Sequence, residues 1–134
     1  MIRYVSVVDA HKQRREFMSN VKHSNKLIVH HDPKSSVAEA YRTMRTNIQF
    51  SSIDKELSTI MAASANPGEG KTLTVSNLAA TYAQEGKKVV VMDGDMRKPT
   101  LHKMFQISNT SGLTSILTNQ NTLESQLCAT FIEG

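Results

Sequence analysis

The eight residues Ala65-Asn66-Pro67-Gly68-Glu69-Gly70-Lys71-Thr72 constrain this chain more than any other stretch. They follow an apolar run at 57–63 that reads as a short buried strand. They precede a stretch from 72 to 84 in which Val75, Leu78, Ala79 and Tyr82 recur at helical spacing. Gly86 is placed to end that helix in the left-handed conformation. A second apolar run, 87–93, then closes in Asp93. Strand, helix and strand over ~35 residues make a βαβ unit, whose two strands pair in parallel through a right-handed crossover.

The loop itself matches G-x-x-x-x-G-K-[ST], with Ala65 in place of the first glycine. Gly68 and Gly70 let the backbone turn tightly and bring its N–H groups against phosphate oxygens. The following helix points its positive end at the same anion. Lys71 supplies a mobile ammonium to the outer phosphates, and Thr72 a hydroxyl to Mg²⁺. The expected ligands are ATP and Mg²⁺, with residues Asn66, Pro67, Gly68, Glu69, Gly70, Lys71, Thr72 and Leu73 forming the nucleotide cradle. A dinucleotide fingerprint starting at Gly68 fails, because its third glycine position holds Leu73 and Lys71-Thr72 would have no role. The expected fold class is therefore α/β, a P-loop NTPase-like parallel sheet with flanking helices.

In such a sheet, ligands bind at the carboxyl ends of the strands. That places Asp93-Gly94-Asp95 on the same edge as the phosphate loop, Asp93 lying 22 residues beyond Lys71. Two acids beside a triphosphate are repelled unless a cation lies between them. Asp93 and Asp95 are thus candidate metal-binding residues, and an acid not used by the metal suits proton abstraction from a hydroxyl. A capping or turn role is the alternative for an isolated D-x-D. After Pro99, the segments 101–105 and 113–117 read as short helices.

Ahead of the loop, Ser36-Val37-Ala38-Glu39 reads as a capping box that opens a helix with Val37, Tyr41, Met44 and Ile48 on its apolar face. Glu39, Arg42 and Arg45 recur three residues apart on another side, either a solvated salt-bridged stripe or a contact surface. Residues 1–34 are expected to be a basic lead-in, and 35–134 a partial P-loop domain. Within the lead-in, 2–8 is a possible short strand, 27–29 is too short to assign, and His30-His31-Asp32 is an ordinary loop without clustered ligands. Residues 1–50 hold nine bases against four acids, whereas 51–134 hold seven against eight. No aromatic residues are interleaved with those bases, which disfavours single-stranded nucleic acid. No run of 18 apolar residues exists, the amino-terminal residues lack a secretory pattern, and the single Cys128 fits a reducing cytosol.

Three blocks together resemble the bacterial tyrosine kinase family, the cytosolic kinases of capsule and exopolysaccharide biosynthesis. Residues 39–45 resemble its E-x-x-R-x-x-R oligomerisation motif, 64–72 its Walker A loop, and 89–99 its Walker A′ motif. The resemblance implies a protein-tyrosine kinase using ATP and Mg²⁺, with Lys71, Asp93 and Asp95 catalytic and Thr72, Asp93 and Asp95 at the metal. It implies a ring-like homo-oligomer through Glu39, Arg42 and Arg45, and a transmembrane activator at the inner face of the plasma membrane. It further implies tyrosine-bearing protein substrates and no nucleic acid. Partition-type relatives carry a second lysine near the loop entrance, where this chain has Asn66. The family's Walker B strand and tyrosine cluster have no counterpart here, the only tyrosines being Tyr4, Tyr41 and Tyr82. The expectation is an amino-terminal, truncated part of the kinase domain. A nucleotide-binding module without catalysis is the alternative.

Overall fold

The protein is described by a computed structural model, which places residues 26–51 and 57–133. The expected strand at 2–8 and most of the basic lead-in lie outside the described residues. The elements are α1 (Ile28–His31), α2 (Ser36–Phe50), α3 (Lys71–Gln84), α4 (Leu101–Phe105), α5 (Leu113–Leu117) and α6 (Leu123–Gln126). The two short helices expected after Pro99 form with the bounds read from the sequence.

Helix α2 starts one residue away from the expected box. Ser35, not Ser36, is the N-cap, and its Oγ accepts the Ala38 amide at 3.2 Å while donating to the Asp32 carbonyl at 2.8 Å. Glu39 is consequently one residue too far along to reach back to the cap, and pairs with Arg42 instead. The buried face also differs from the Val37–Met44 pattern. Ala38 is buried, Tyr41 and Ile48 are half-buried, and Val37 and Met44 are exposed.

Helix α3 lies against α2, and α1 packs on both. The carboxyl end of α3 closes as expected: Gly86 adopts φ +78°, its amide donates to Ala83, and the Lys87 amide donates to Tyr82. This pair of bonds is a Schellman motif, which needs a left-handed residue where Gly86 stands. Its buried side chains include Ser76, Asn77 and Thr81 beside Leu78 and Ala80. The polar ones are buried because residues 26–31 run across them. Asn77 Oδ1 accepts the Val29 amide at 3.1 Å, and its Nδ2 donates to the carbonyls of Lys26 at 2.9 Å and Leu73 at 3.0 Å. Gln84 Nε2 donates to the Val29 carbonyl at 3.1 Å. Leu27 and Val29, which the sequence left in the lead-in, are fully buried. Leu27 packs with Met104 and Phe105, Val29 with Ala38 and Ala80, and Ile132 touches both groups.

The expected parallel strands at 57–63 and 87–93 do not form among the described residues. No backbone hydrogen bond pairs one run with the other there, and the Lys87 amide is used at the end of α3. A strand exists by its ladder, so an apolar run without a partner keeps only the pattern of one. That pattern is visible at 89–93. Val89, Val91 and Asp93 are half-buried, whereas Val90 and Met92 are 66% and 58% exposed. A cavity of about 310 Å³ lies between this run and the Ala79, Ala80 and Ala83 face of α3. Residues 57–63 are exposed throughout, Met61 reaching 87%.

Candidate functional site

The phosphate loop ends at Gly70, the N-cap of α3. Gly68 and Gly70 take φ +82° and +93°, conformations that strain any residue with a Cβ. An ideal Cβ at either would meet nothing within 4 Å, so backbone geometry alone requires glycine there. No side chain caps this helix end. Thr74 makes the first intrahelical bond, to Gly70 at 2.8 Å, so the amides of Lys71, Thr72 and Leu73 lie ahead of the ladder. Three amides and the positive end of a 14-residue helix fit a polyanion.

Glu69 shapes the loop from within. Its carboxylate accepts from the Asn66 amide at 3.2 Å and from Asn66 Nδ2 at 3.0 Å. The Asn66 side chain, then its backbone amide, hold the Glu69 carboxyl below the usual carboxylate range. Lys71 Nζ lies across the same loop, donating to Ser64 Oγ at 2.6 Å and to the Asn66 carbonyl at 3.3 Å. Ser64 is thus a loop residue that the motif pattern alone left without a role.

The acidic turn is built by its own carboxylates. Asp93 Oδ1 accepts the Asp95 amide at 3.0 Å, and Oδ2 accepts the amides of Thr100 and Leu101 at 2.9 and 3.0 Å. Asp95 Oδ1 accepts from the Arg97 and Lys98 amides at 3.1 and 2.9 Å. The Lys98 amide, then that of Arg97, keep the Asp95 carboxyl below its ordinary range. Both acids therefore take the turn role that the sequence had offered as an alternative, and each retains lone pairs for a cation. The turn meets the loop at one bond: Thr72 Oγ1 and Thr100 Oγ1 lie 2.8 Å apart. No group of three His, Cys, Asp or Glu side chains that could share a metal occurs among the described residues. A cation here is fitted by hydroxyl and carboxylate oxygens, the donor set that Mg²⁺ takes together with phosphate oxygens and water.

The Glu39, Arg42 and Arg45 stripe does not stay on one face. Each three-residue step rotates by about 300° on a helix of 3.6 residues per turn, so the stripe drifts by roughly 60° per step. Glu39 faces out, and Arg42 bridges Glu39 at 3.0 Å and the Pro33 carbonyl at 2.6 Å. Arg45 has turned inward, its side chain 11% exposed, donating to the Thr81 carbonyl at 3.0 Å and pairing with Glu85. It thereby places a cation at the carboxyl end of α3. Arg45→Ala is expected to lower stability by about 2 kcal/mol and Arg42→Ala by less than about 0.5 kcal/mol, because only Arg45 leaves partly buried partners behind. Thermal unfolding of the two variants measures the difference.

The chain thus presents the loop-and-helix site of a nucleotide-binding P-loop protein, and residues 60–124 match the family model "CobQ/CobB/MinD/ParA nucleotide binding domain". It is a relative of the bacterial tyrosine kinases, as the resemblance implied. It is 52% identical over 93 residues to tyrosine-protein kinase YwqD of Bacillus subtilis, covering 69% of this chain and 39% of that one. It is 37% identical over 92 residues to tyrosine-protein kinase etk of Escherichia coli K12, covering 69% of this chain and 13% of that one. Among solved structures, the chimerical protein CapA2B2 superposes with a TM-score of 0.77 at 44% identity, covering 81% of this chain and 48% of the other. The chain spans less than half the length of each of these three. The P-loop NTPase-like fold class stands on the same likeness, although the described residues hold its helices without its sheet ladder.

Proposed function

We propose that this chain is the nucleotide-binding part of a bacterial protein-tyrosine kinase of capsule or exopolysaccharide biosynthesis, taking ATP with Mg²⁺. The observation that carries the reading is the joined site: a glycine-shaped loop, an uncapped 14-residue helix and the acidic turn, linked through Thr72 and Thr100. The amides of residues 68–73 and the Lys71 ammonium would hold the phosphates. Thr72, with Asp93 and Asp95, would hold Mg²⁺, which supplies charge neutralisation between the β- and γ-phosphates. Asp95 keeps its carboxylate ionised through two amides and presents a remaining oxygen for the proton of an incoming tyrosine hydroxyl. Catalysis on this plan is positioning and charge stabilisation, without a covalent enzyme intermediate.

The partners follow from the same kinship: tyrosine-bearing protein substrates, and a transmembrane activator that would hold the kinase at the cytoplasmic face of the membrane. No helix among the described residues is long and apolar enough to cross a membrane. Oligomerisation would use the outer side of α2, where Glu39 and Arg42 pair and Val37 and Met44 are exposed. Arg45, bonded within its own chain, would support that helix from behind.

A second reading is favoured by one observation: both aspartates are already engaged by backbone amides, and no third carboxylate, histidine or cysteine joins them among the described residues. That arrangement suits a nucleotide-binding, oligomerising module that does not turn over. Calorimetry with ATP–Mg²⁺, followed by labelling with γ-³²P-ATP and a tyrosine peptide, separates the two. Binding at micromolar concentration with phosphotyrosine formed is the expected result. Binding without phosphotyrosine, in a chain extended to the relatives' length and given its activator, establishes the module.

A further inference from the structure

We propose that Thr100 is a positioning residue for the metal, orienting the Thr72 hydroxyl so that its lone pairs face a bound Mg²⁺. This rests on the nucleotide reading above and adds a residue to it. A threonine hydroxyl carries one proton and two lone pairs. A hydroxyl that ligates a cation must direct its proton elsewhere, or that proton points at the metal. Thr100 Oγ1 lies 2.8 Å from Thr72 Oγ1, and either hydroxyl can be the donor of that bond. A cation on Thr72 selects the direction in which Thr100 accepts the proton. Among the described residues no other hydrogen bond to the Thr72 side chain is formed.

Thr100 is itself held in place. Its amide is fixed by Asp93 Oδ2 at 2.9 Å, and the neighbouring Leu101 amide by the same oxygen at 3.0 Å. Its side chain is not used to cap α4. The hydroxyl is therefore free of structural duty within its own turn, while its backbone is anchored there. The series Asp93, Thr100, Thr72 joins the acidic turn to the phosphate loop through one side-chain bond. Asp93 thereby acts on the metal site through position, whatever it contributes as a ligand.

The test measures the metal-dependent part of nucleotide affinity in the full chain. ATP is titrated by calorimetry in excess Mg²⁺ and again in EDTA, and the Kd in EDTA divided by the Kd in Mg²⁺ is the readout. In Thr100→Val the shape is kept and the acceptor is lost, so the ratio is expected to fall about tenfold with the EDTA affinity within about twofold of wild type. Thr100→Ser restores the acceptor and is expected to restore the ratio. A helical circular dichroism signal and melting temperature shared by all three proteins shows that folding is unchanged. An unaltered ratio in Thr100→Val overturns the proposal. So does a ratio that falls equally in Thr100→Ser and Thr100→Val, since packing would then be the cause. Should Thr100→Val fail to fold, Thr100→Ala takes its place with the same expectation. A wild-type chain that binds ATP in neither buffer fails differently: it removes the nucleotide reading on which the proposal rests.

Discussion

Asn77→Ala is expected to lower the stability of this chain by about 3 kcal/mol, the largest loss for any single polar residue described. The Asn77 side chain is fully buried and makes three hydrogen bonds to main-chain groups of Lys26, Val29 and Leu73. Each is worth about 1 kcal/mol net, a figure that for the Val29 bond includes the cost of leaving a buried amide without an acceptor. The expected thermal shift is roughly 12 °C, at about 4 °C per kcal/mol for a domain of this size. The loss is not confined to α3. Leu27 and Val29 are held in two apolar groups by this bond set, so amide exchange at 27–31 should accelerate more than at 78–84. Asn77→Asp sharpens the test. A carboxylate there would face two carbonyls, and burial would raise its pKa above the unfolded value. The charged form is then the disfavoured one, so the variant loses stability as pH rises through that raised pKa and regains it on acidification. A melting temperature within 2 °C of wild type for Asn77→Ala, measured by calorimetry at neutral pH, would contradict the clasp.

How legible such features are depends on where their partners lie in the chain. The Gly86 terminus was readable because every atom of a Schellman motif belongs to residues 82–87. Likewise, α4 and α5 announce themselves by short apolar spacing after a proline. The clasp was not readable. Asn77 is polar, and polar residues on a helix are ordinarily solvated, so its burial is decided by a segment about 50 residues earlier. The same applies to Arg45, which three-residue spacing places beside Glu39 and Arg42 but helical drift carries to the inner side. Among the described residues the strands go unformed in the opposite sense. Their apolar pattern is real, and Val89 and Val91 do turn toward α3, yet a ladder needs a second backbone that no local pattern supplies. At the site, the Gly-Lys-Thr core was legible because the spacing is dictated by phosphate geometry. Ser64 and Thr100 were not, since each acts through a side chain brought in by the fold.

Lys71→Ala is expected to weaken ATP–Mg²⁺ binding by about 100-fold while moving the melting temperature by less than about 2 °C. The two halves of that statement have separate causes. An ammonium that meets phosphate oxygens makes charge-assisted hydrogen bonds worth about 1.5–3 kcal/mol, or roughly 10- to 150-fold in affinity. In the free protein its partners are the exposed Ser64 hydroxyl and Asn66 carbonyl, which water replaces at little cost when the lysine is removed. The helix does not depend on it either. Gly70 remains the N-cap, Glu69 still ties Asn66, and the Thr74 bond to Gly70 is a backbone bond. Alanine is moreover a good helix former at the first position of α3. The measurement is isothermal titration of both proteins with ATP–Mg²⁺, beside thermal melts without nucleotide. Equal affinities would take Lys71 out of the site and leave the amides of α3 as a nonspecific anion contact. A melting temperature lowered by 8 °C or more in the nucleotide-free variant, about 2 kcal/mol, would instead make Lys71 a fastener of the loop. Its bonds to Ser64 and Asn66 would then be what the residue is for.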